Sequence, residues 1–283
     1  MNKIGIYGLG LIGSSLGLAF KKYLPSVNVY GKDIKQRNEI YSLNNNIIDK
    51  IINKDNLSDL DIIFLSLPIS KSIDVIDEIF PLINYNKTII TDTGSTKNEL
   101  INQITNKYPE VKYIGGHPLA GKAKSGPEYG EPDLFLNKLY FLITDSSKNT
   151  DNYNYLKTIL SSIGAKVNII KADLHDKYLS YTSHMPQLIS SILINNIYEN
   201  LSNEKLINKF TGTGLLSMVR LAQSNPDMWL DIFMTNSENI IDNIDKYINK
   251  LEAFKNAINK NDKDRILSEM TTANKNHDKL IKR

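Results

Sequence analysis

Apolar positions along this chain follow two regimes, and the change falls near residue 170. Before it, short apolar runs alternate with stretches of helical spacing. Strands are expected over residues 3–7, 27–31, 59–67, 88–92, 111–115, 139–144 and 165–170. Helices are expected over 14–20, 72–80, from 98 onward and over 153–162, with a polar helix and linker over 39–50. Such alternation describes an open α/β sheet with buried strands. After 170 no strand pattern remains. One long helix is expected over 173–198, disturbed at Pro186, which cannot donate to the helical ladder. A short helix over 204–210, a helical segment over 215–224, a long helix over 228–254 and a charged helix over 262–283 follow. Ile240, Ile241, Ile244, Tyr247, Ile248 and Leu251 form an apolar stripe on the long helix. That stripe either closes the segment's own core or meets a second copy of the chain.

The first thirty-three residues organise the α/β half. Lys3 to Tyr7 runs into Gly8-Leu9-Gly10-Leu11-Ile12-Gly13, then a helix, a second strand and Asp33, twenty positions beyond the last glycine. This is the G-x-G-x-x-G unit of a dinucleotide-binding Rossmann fold. Gly8 permits the tight turn, Gly10 lets backbone approach a pyrophosphate, and Gly13 allows helix and strand to pack closely. The N–H groups at the helix start face the phosphates. Asp33 accepts from ribose hydroxyls and repels a 2′-phosphate, which favours NAD over NADP. Leu67 and Pro68 end the 59–67 strand and line the cofactor cleft. The expected organisation is a Rossmann-type parallel-sheet domain over 1–170, followed by an all-helical substrate-binding and dimerisation domain over 171–283.

Bulk composition narrows the chemistry. The 283 residues include no cysteine, which excludes disulfides, thiolate metal sites and a cysteine nucleophile. The four histidines, His117, His175, His184 and His277, have no metal-ligand spacing, so no metal is expected. A formal charge of +3 does not imply nucleic acid. No uninterrupted apolar run is long enough for a membrane span, and a cytoplasmic protein is expected.

A nucleotide-binding half joined to a helical half implies a small-molecule substrate between them, and hydride transfer from an alcohol needs a base. His117, between Gly116 and Pro118 at a strand end, is the leading base. Ser95, at the previous strand end, bonds that histidine or the substrate hydroxyl, or else caps a helix. Lys97 orients its loop or touches the cofactor. His184, two residues before Pro186, is a site residue or a packing device at the kink. Arg220 lies in an apolar stretch, where a buried guanidinium needs an anion: a substrate carboxylate or an internal acid. His175 and His277 sit in polar helical contexts and read as solvated.

Five signatures in order resemble the prephenate/arogenate dehydrogenase family of tyrosine biosynthesis. They are residues 8–14, Asp92-Thr93-Gly94-Ser95-Thr96-Lys97, Gly116-His117-Pro118-Leu119-Ala120-Gly121 with Lys124-Ser125-Gly126, Ser183-His184-Met185-Pro186, and Arg220-Leu221-Ala222 followed by Asn225-Pro226-Asp227-Met228-Trp229. The resemblance implies NAD-dependent oxidation of a ring hydroxyl in a cyclohexadienyl acid, with loss of CO2 as the ring aromatises. It implies His117 as the base, Ser95 as its hydrogen-bond partner and Arg220 as the holder of the ring carboxylate. His184 corresponds to the first histidine of the family's helix-kink motif, and the chain is expected to form a homodimer through its helical domain. Two positions depart from the family pattern. Gln187 replaces a second histidine associated with the side-chain carboxylate of prephenate, and Leu216 replaces a basic residue four positions before the arginine. Gln187 is therefore assigned to substrate binding with the choice between prephenate and arogenate open, dual use included. A β-hydroxyacid dehydrogenase and a non-enzymatic NAD(H) sensor share the layout but do not require Ser95, His117 and Arg220 together.

Overall fold

The computed structural model describes residues 3–122, 124–143, 150–201 and 209–281. Its first part is an eight-stranded sheet in the order β3-β2-β1-β4-β5-β6-β7-β8. The strands are β1 (Lys3–Tyr7), β2 (Asn28–Lys32), β3 (Lys50–Ile51), β4 (Ile62–Leu65), β5 (Ile89–Asp92), β6 (Lys112–Pro118), β7 (Leu139–Ile143) and β8 (Lys166–Ile170). Neighbours pair in parallel except β6 and β7, which are antiparallel. The first six strands follow the doubly wound dinucleotide-binding order, with its switch point between β1 and β4.

The central strands are buried along nearly their whole length because helices cover both faces. Along β4, Ile62 and Phe64 point into one core while Ile63 and Leu65 point into the other. Leu16 and Phe20 of α1 (Leu11–Tyr23) and Leu156 and Leu160 of α5 (Thr150–Ser162) fill the first core. Between them in the chain lie α2 (Gln36–Asn44), α3 (Ile69–Ile79) and α4 (Asn98–Lys107). Ile76 and Ile79 of α3 and Leu100 and Ile104 of α4 fill the second core.

The remaining elements are helical: α6 (Ala172–Leu179), α7 (Met185–Leu201), α8 (Thr213–Val219), α9 (Pro226–Thr235), α10 (Ser237–Asn259) and α11 (Lys263–Ile281). The single helix expected over 173–198 is split by a π turn at Ser180–His184, where Met185 N–H donates to the Ser180 carbonyl. Pro186, one residue later, leaves the carbonyl four positions back without a helical donor, and the widened turn absorbs that break. The helix expected over 228–254 is broken at Asn236 into α9 and α10. Most of the short helix expected over 204–210 lies outside the described residues. The chain divides into two compact units, Met1–Ser237 and Glu238–Arg283.

Candidate active site

Gly8 sits at φ +89°, and a Cβ there would lie 2.2 Å from the Ser66 carbonyl oxygen, so the β1–α1 turn admits only glycine. A Cβ on Gly13 would lie 1.9 Å from the Gly8 carbonyl oxygen, where α1 crosses the turn. Gly10 faces open space, with no atom within 4 Å of where a Cβ would lie. Gly10 is also the N-cap of α1, without a side-chain cap or an acid in the first turn. Together these leave a helix N-terminus and a bare backbone for an anion. Leu9 and Leu11 are buried and anchor the loop, while Ile12 packs partly buried on the same core. Asp33 accepts from Leu9 N–H at 2.7 Å, Lys35 N–H at 2.8 Å and Asn38 Nδ2 at 3.1 Å. A carboxylate has about four acceptor sites, so one stays available. Ile34, which the sequence reading passed over, is 99% exposed beside it. Leu67 and Pro68 follow β4, half-buried and exposed respectively.

The N-termini of α3 and α4 are treated differently. Asp231 on α9 accepts from Ile69 N–H at 2.6 Å and Ser70 N–H at 3.3 Å. Asp176 on α6 accepts from Lys97 N–H at 2.9 Å and Asn98 N–H at 2.8 Å. Helices α6 and α9 thus dock by placing carboxylates on two positive helix ends, while α1 remains open for a ligand.

His117 lies inside β6, which runs three residues past the expected strand because β7 pairs with it through Pro118. The imidazole is buried. Its Nδ1 lies 2.9 Å from His175 Nε2, and His175 Nδ1 lies 2.8 Å from Asp176 Oδ1. His175 and Asp176 are fully enclosed, so the expectation of a solvated His175 is overturned. Burial holds the His117 pKa well below its ordinary value, and the neighbouring His175, Lys97 and His184 push the same way. Nε2 of His117 has no hydrogen-bond partner among the described residues.

Lys97 is bonded to its own loop and to the neighbouring strand end. Its ammonium is fully buried, paired with Asp92 and bonded to the Gly116 carbonyl oxygen at 2.8 Å, next to His117. Asp92 also accepts from Gly94 N–H, Tyr113 OH and Gly116 N–H. Burial lowers the Lys97 pKa, and Asp92 and Asp176 oppose that shift. Ser95 is half-buried and does not form the expected bond to His117, whose Nδ1 is occupied by His175.

His184 is enclosed in the π turn. Its Nδ1 lies 3.1 Å from Asn236 Nδ2, which also donates to the Asp176 carbonyl oxygen at 2.9 Å. An amide N–H₂ only donates, so His184 Nδ1 accepts and Nε2 carries the proton. Burial lowers this histidine to about 4. Its Nε2–H is a neutral donor with no partner among the described residues, as is Nε1 of Trp229, whose ring lies edge-on 6.0 Å away. Gln187 is buried and tied to Ser191 at 3.4 Å and Ser224 at 3.3 Å, so its amide braces the turn after Arg220. Arg220 is exposed, not buried as its apolar neighbours suggested; Leu216 and Met218 are exposed with it.

These features define a dinucleotide-binding α/β protein with a buried, hydrogen-bonded histidine pair, His117 of β6 and His175 of α6. A family model described as "Prephenate dehydrogenase, nucleotide-binding domain" matches residues 16–169, and one described as "Prephenate dehydrogenase, dimerization domain" matches 171–272. The chain belongs to the prephenate/arogenate dehydrogenase family. It is 31% identical over 264 residues to prephenate dehydrogenase of Lactococcus lactis, spanning 93% of this chain and 73% of that one. It is 31% identical over 278 residues to cyclohexadienyl dehydrogenase of Zymomonas mobilis, spanning 96% and 94%. Its fold matches prephenate dehydrogenase of Aquifex aeolicus, solved with hydroxyphenyl propionate and NAD+, with TM-score 0.91, 24% identity and 99% and 98% of the chains covered. No helix among the described residues is long and apolar enough to cross a membrane.

Proposed function

We propose that this chain oxidises prephenate to 4-hydroxyphenylpyruvate with NAD, in the manner of the family to which it belongs. The observation that carries the reading is a buried, neutral His117 with an unoccupied Nε2 at the carboxyl edge of a sheet whose β1–α1 turn is built for a dinucleotide. NAD, when bound, accepts the hydride released from the ring carbon bearing the hydroxyl. Gly8, Gly10 and Gly13 with the α1 N-terminus hold the pyrophosphate, Asp33 takes a ribose hydroxyl, and Ile34, Leu67 and Pro68 offer apolar surface to the rest. His117 Nε2 takes the hydroxyl proton, and Ser95 orients that hydroxyl. His184 and Trp229 donate neutral N–H groups to the substrate, and Arg220 binds its ring carboxylate. That carboxylate leaves as CO2 when the ring aromatises.

Arogenate is the second reading, and Gln187 is the observation favouring it. A neutral amide that braces Ser224 provides no cation for a keto-acid carboxylate. The helical region 171–283 is assigned to substrate binding and to a homodimer, supported by exposed Ile241, Tyr247, Ile248, Leu251, Leu267 and Met270 on α10 and α11.

The test is NADH production by purified protein given prephenate and arogenate separately, each with NAD and with NADP. Turnover of prephenate with NAD supports the first reading, and turnover confined to arogenate moves the assignment to the second. Silence with both overturns the substrate assignment. His117→Asn must abolish most turnover while cofactor binding survives.

A further inference from the structure

The histidine that the sequence hides is the one that prepares the base. We propose that His175 and Asp176 are positioning residues that lock His117 in the Nδ1–H tautomer and leave Nε2 as its proton acceptor; this rests on the reading of His117 as the base. The argument is one of donors and acceptors. The Asp176 carboxylate can only accept, so at 2.8 Å from His175 Nδ1 it fixes the proton on that nitrogen. A His175 ring carrying that single proton presents a lone pair at Nε2. The 2.9 Å contact with His117 Nδ1 is satisfied only when His117 Nδ1 carries a proton. His117 Nε2 is thereby left unprotonated, whatever lies beyond it.

The arrangement also accommodates the charge that the reaction creates. When His117 Nε2 takes the substrate proton, the imidazolium keeps its Nδ1–H on His175, whose own Nδ1–H stays on Asp176. No proton needs to leave the chain of rings during the step. The carboxylate itself is held by Lys97 N–H and Asn98 N–H at the start of α4, so its position is fixed by backbone. His117, His175 and Asp176 are all buried, and the charged or titratable groups facing them are Lys97, paired with Asp92, and His184. In the Ser-His-Asp triad a hydrogen-bond acceptor behind the imidazole base serves the same purpose: correct tautomer, correct orientation, and stabilisation of the cation.

The experiment has two arms. Nitrogen-15 spectra of histidine-labelled protein, assigned by loss of signal in His117→Asn and His175→Phe, report each ring's tautomer without any substrate. The expected result is Nδ1–H for both His117 and His175; an Nε2–H tautomer at His117 overturns the proposal even if the enzyme is active. In the second arm, His175→Phe keeps the ring volume beside Phe141, which stacks edge-on at 5.8 Å. It should lower kcat by about 10²–10³-fold with KM for NAD unchanged, since a positioned proton acceptor contributes on that scale. His175→Gln, whose amide can accept from His117 and donate to Asp176, should recover part of that loss. Wild-type kcat in His175→Phe, or equal loss in both variants, overturns the positioning role. If wild-type protein turns over neither substrate, the substrate assignment fails while the tautomer result still decides this inference.

Discussion

The carboxylate of Asp231 accepts the backbone N–H of Ile69 at 2.6 Å, joining positions 162 residues apart. That bond sets α9 on the first turn of α3, directly after the Leu67-Pro68 segment of the cofactor edge. Removing it leaves the N–H groups of Ile69 and Ser70 without their cap. Asp231→Ala should cost about 1–2 kcal/mol in urea unfolding, the ordinary loss for a helix cap. It should also weaken NAD binding in a fluorescence titration, whereas a surface control such as Asp74→Ala, on an exposed lysine pair, should do neither.

Two glycines of one motif should fail in different ways. Gly10→Ala meets no protein atom within 4 Å, so its unfolding midpoint should match wild type. Its methyl group occupies the approach of the pyrophosphate, and NAD affinity should fall about tenfold or more, roughly 1.4 kcal/mol. Gly13→Ala instead drives a Cβ to within 1.9 Å of the Gly8 carbonyl oxygen. That variant should lose thermal stability before any ligand is added. Equal melting temperatures for the two would contradict the assigned roles.

The α/β half was legible because its signals are contiguous: strand, glycine turn, helix, strand and Asp33 are neighbours in the chain. The two-residue β3 was not, and neither was the antiparallel direction of β7, since strand direction depends on partners rather than period. His175 was misread for a definable reason. Ala172, His175, Asp176 and Leu179 fall at i, i+3, i+4 and i+7, and all four are buried. The polar pair occupies what would be an apolar stripe, and only the docking of α6 on α4, across 79 residues, reveals it. That spacing was the missed signal. Arg220 was misread in the opposite direction, because apolar neighbours suggested burial in a segment whose side chains are exposed.

Lys97 and Asp92 form the buried ion pair beneath the His117 loop. Lys97→Met keeps much of the aliphatic stem but strands a carboxylate that is only 1% exposed. Breaking one partner of such a pair typically costs about 3–5 kcal/mol, so the variant should unfold at markedly lower urea concentration. Asp92→Asn with Lys97→Met should be less damaged than Lys97→Met alone. A double variant as unstable as the sum of the two singles would show that the pair is not coupled.

Stability should fall with acid in a window set by two histidines. His184 titrates at about 4 in the folded chain, chiefly because burial disfavours its charge, with Asp176 opposing and His175 assisting. His117 is likewise held well below its ordinary value. In the unfolded chain both return to about 6.5. Between those values the unfolded state binds protons that the folded state refuses, so unfolding free energy rises with pH across the window. Stability is therefore complete above about pH 6.5 and declines as pH drops toward 4. For His184 alone the shift corresponds to roughly 3 kcal/mol. Asp59, Asp77 and Asp133, held below the usual carboxylate range by hydrogen bonds from Lys3, Lys107 and Lys22, act only below that window. Urea midpoints at pH 7.5 and pH 5 should thus differ clearly in wild type and less in His184→Gln. The variant should start lower at pH 7.5, because Asn236 loses its ring acceptor, yet lose less on acidification. An identical decline in both proteins would mean that His184 titrates alike in the folded and unfolded chain, and the lowering of its pKa by burial would have to be withdrawn.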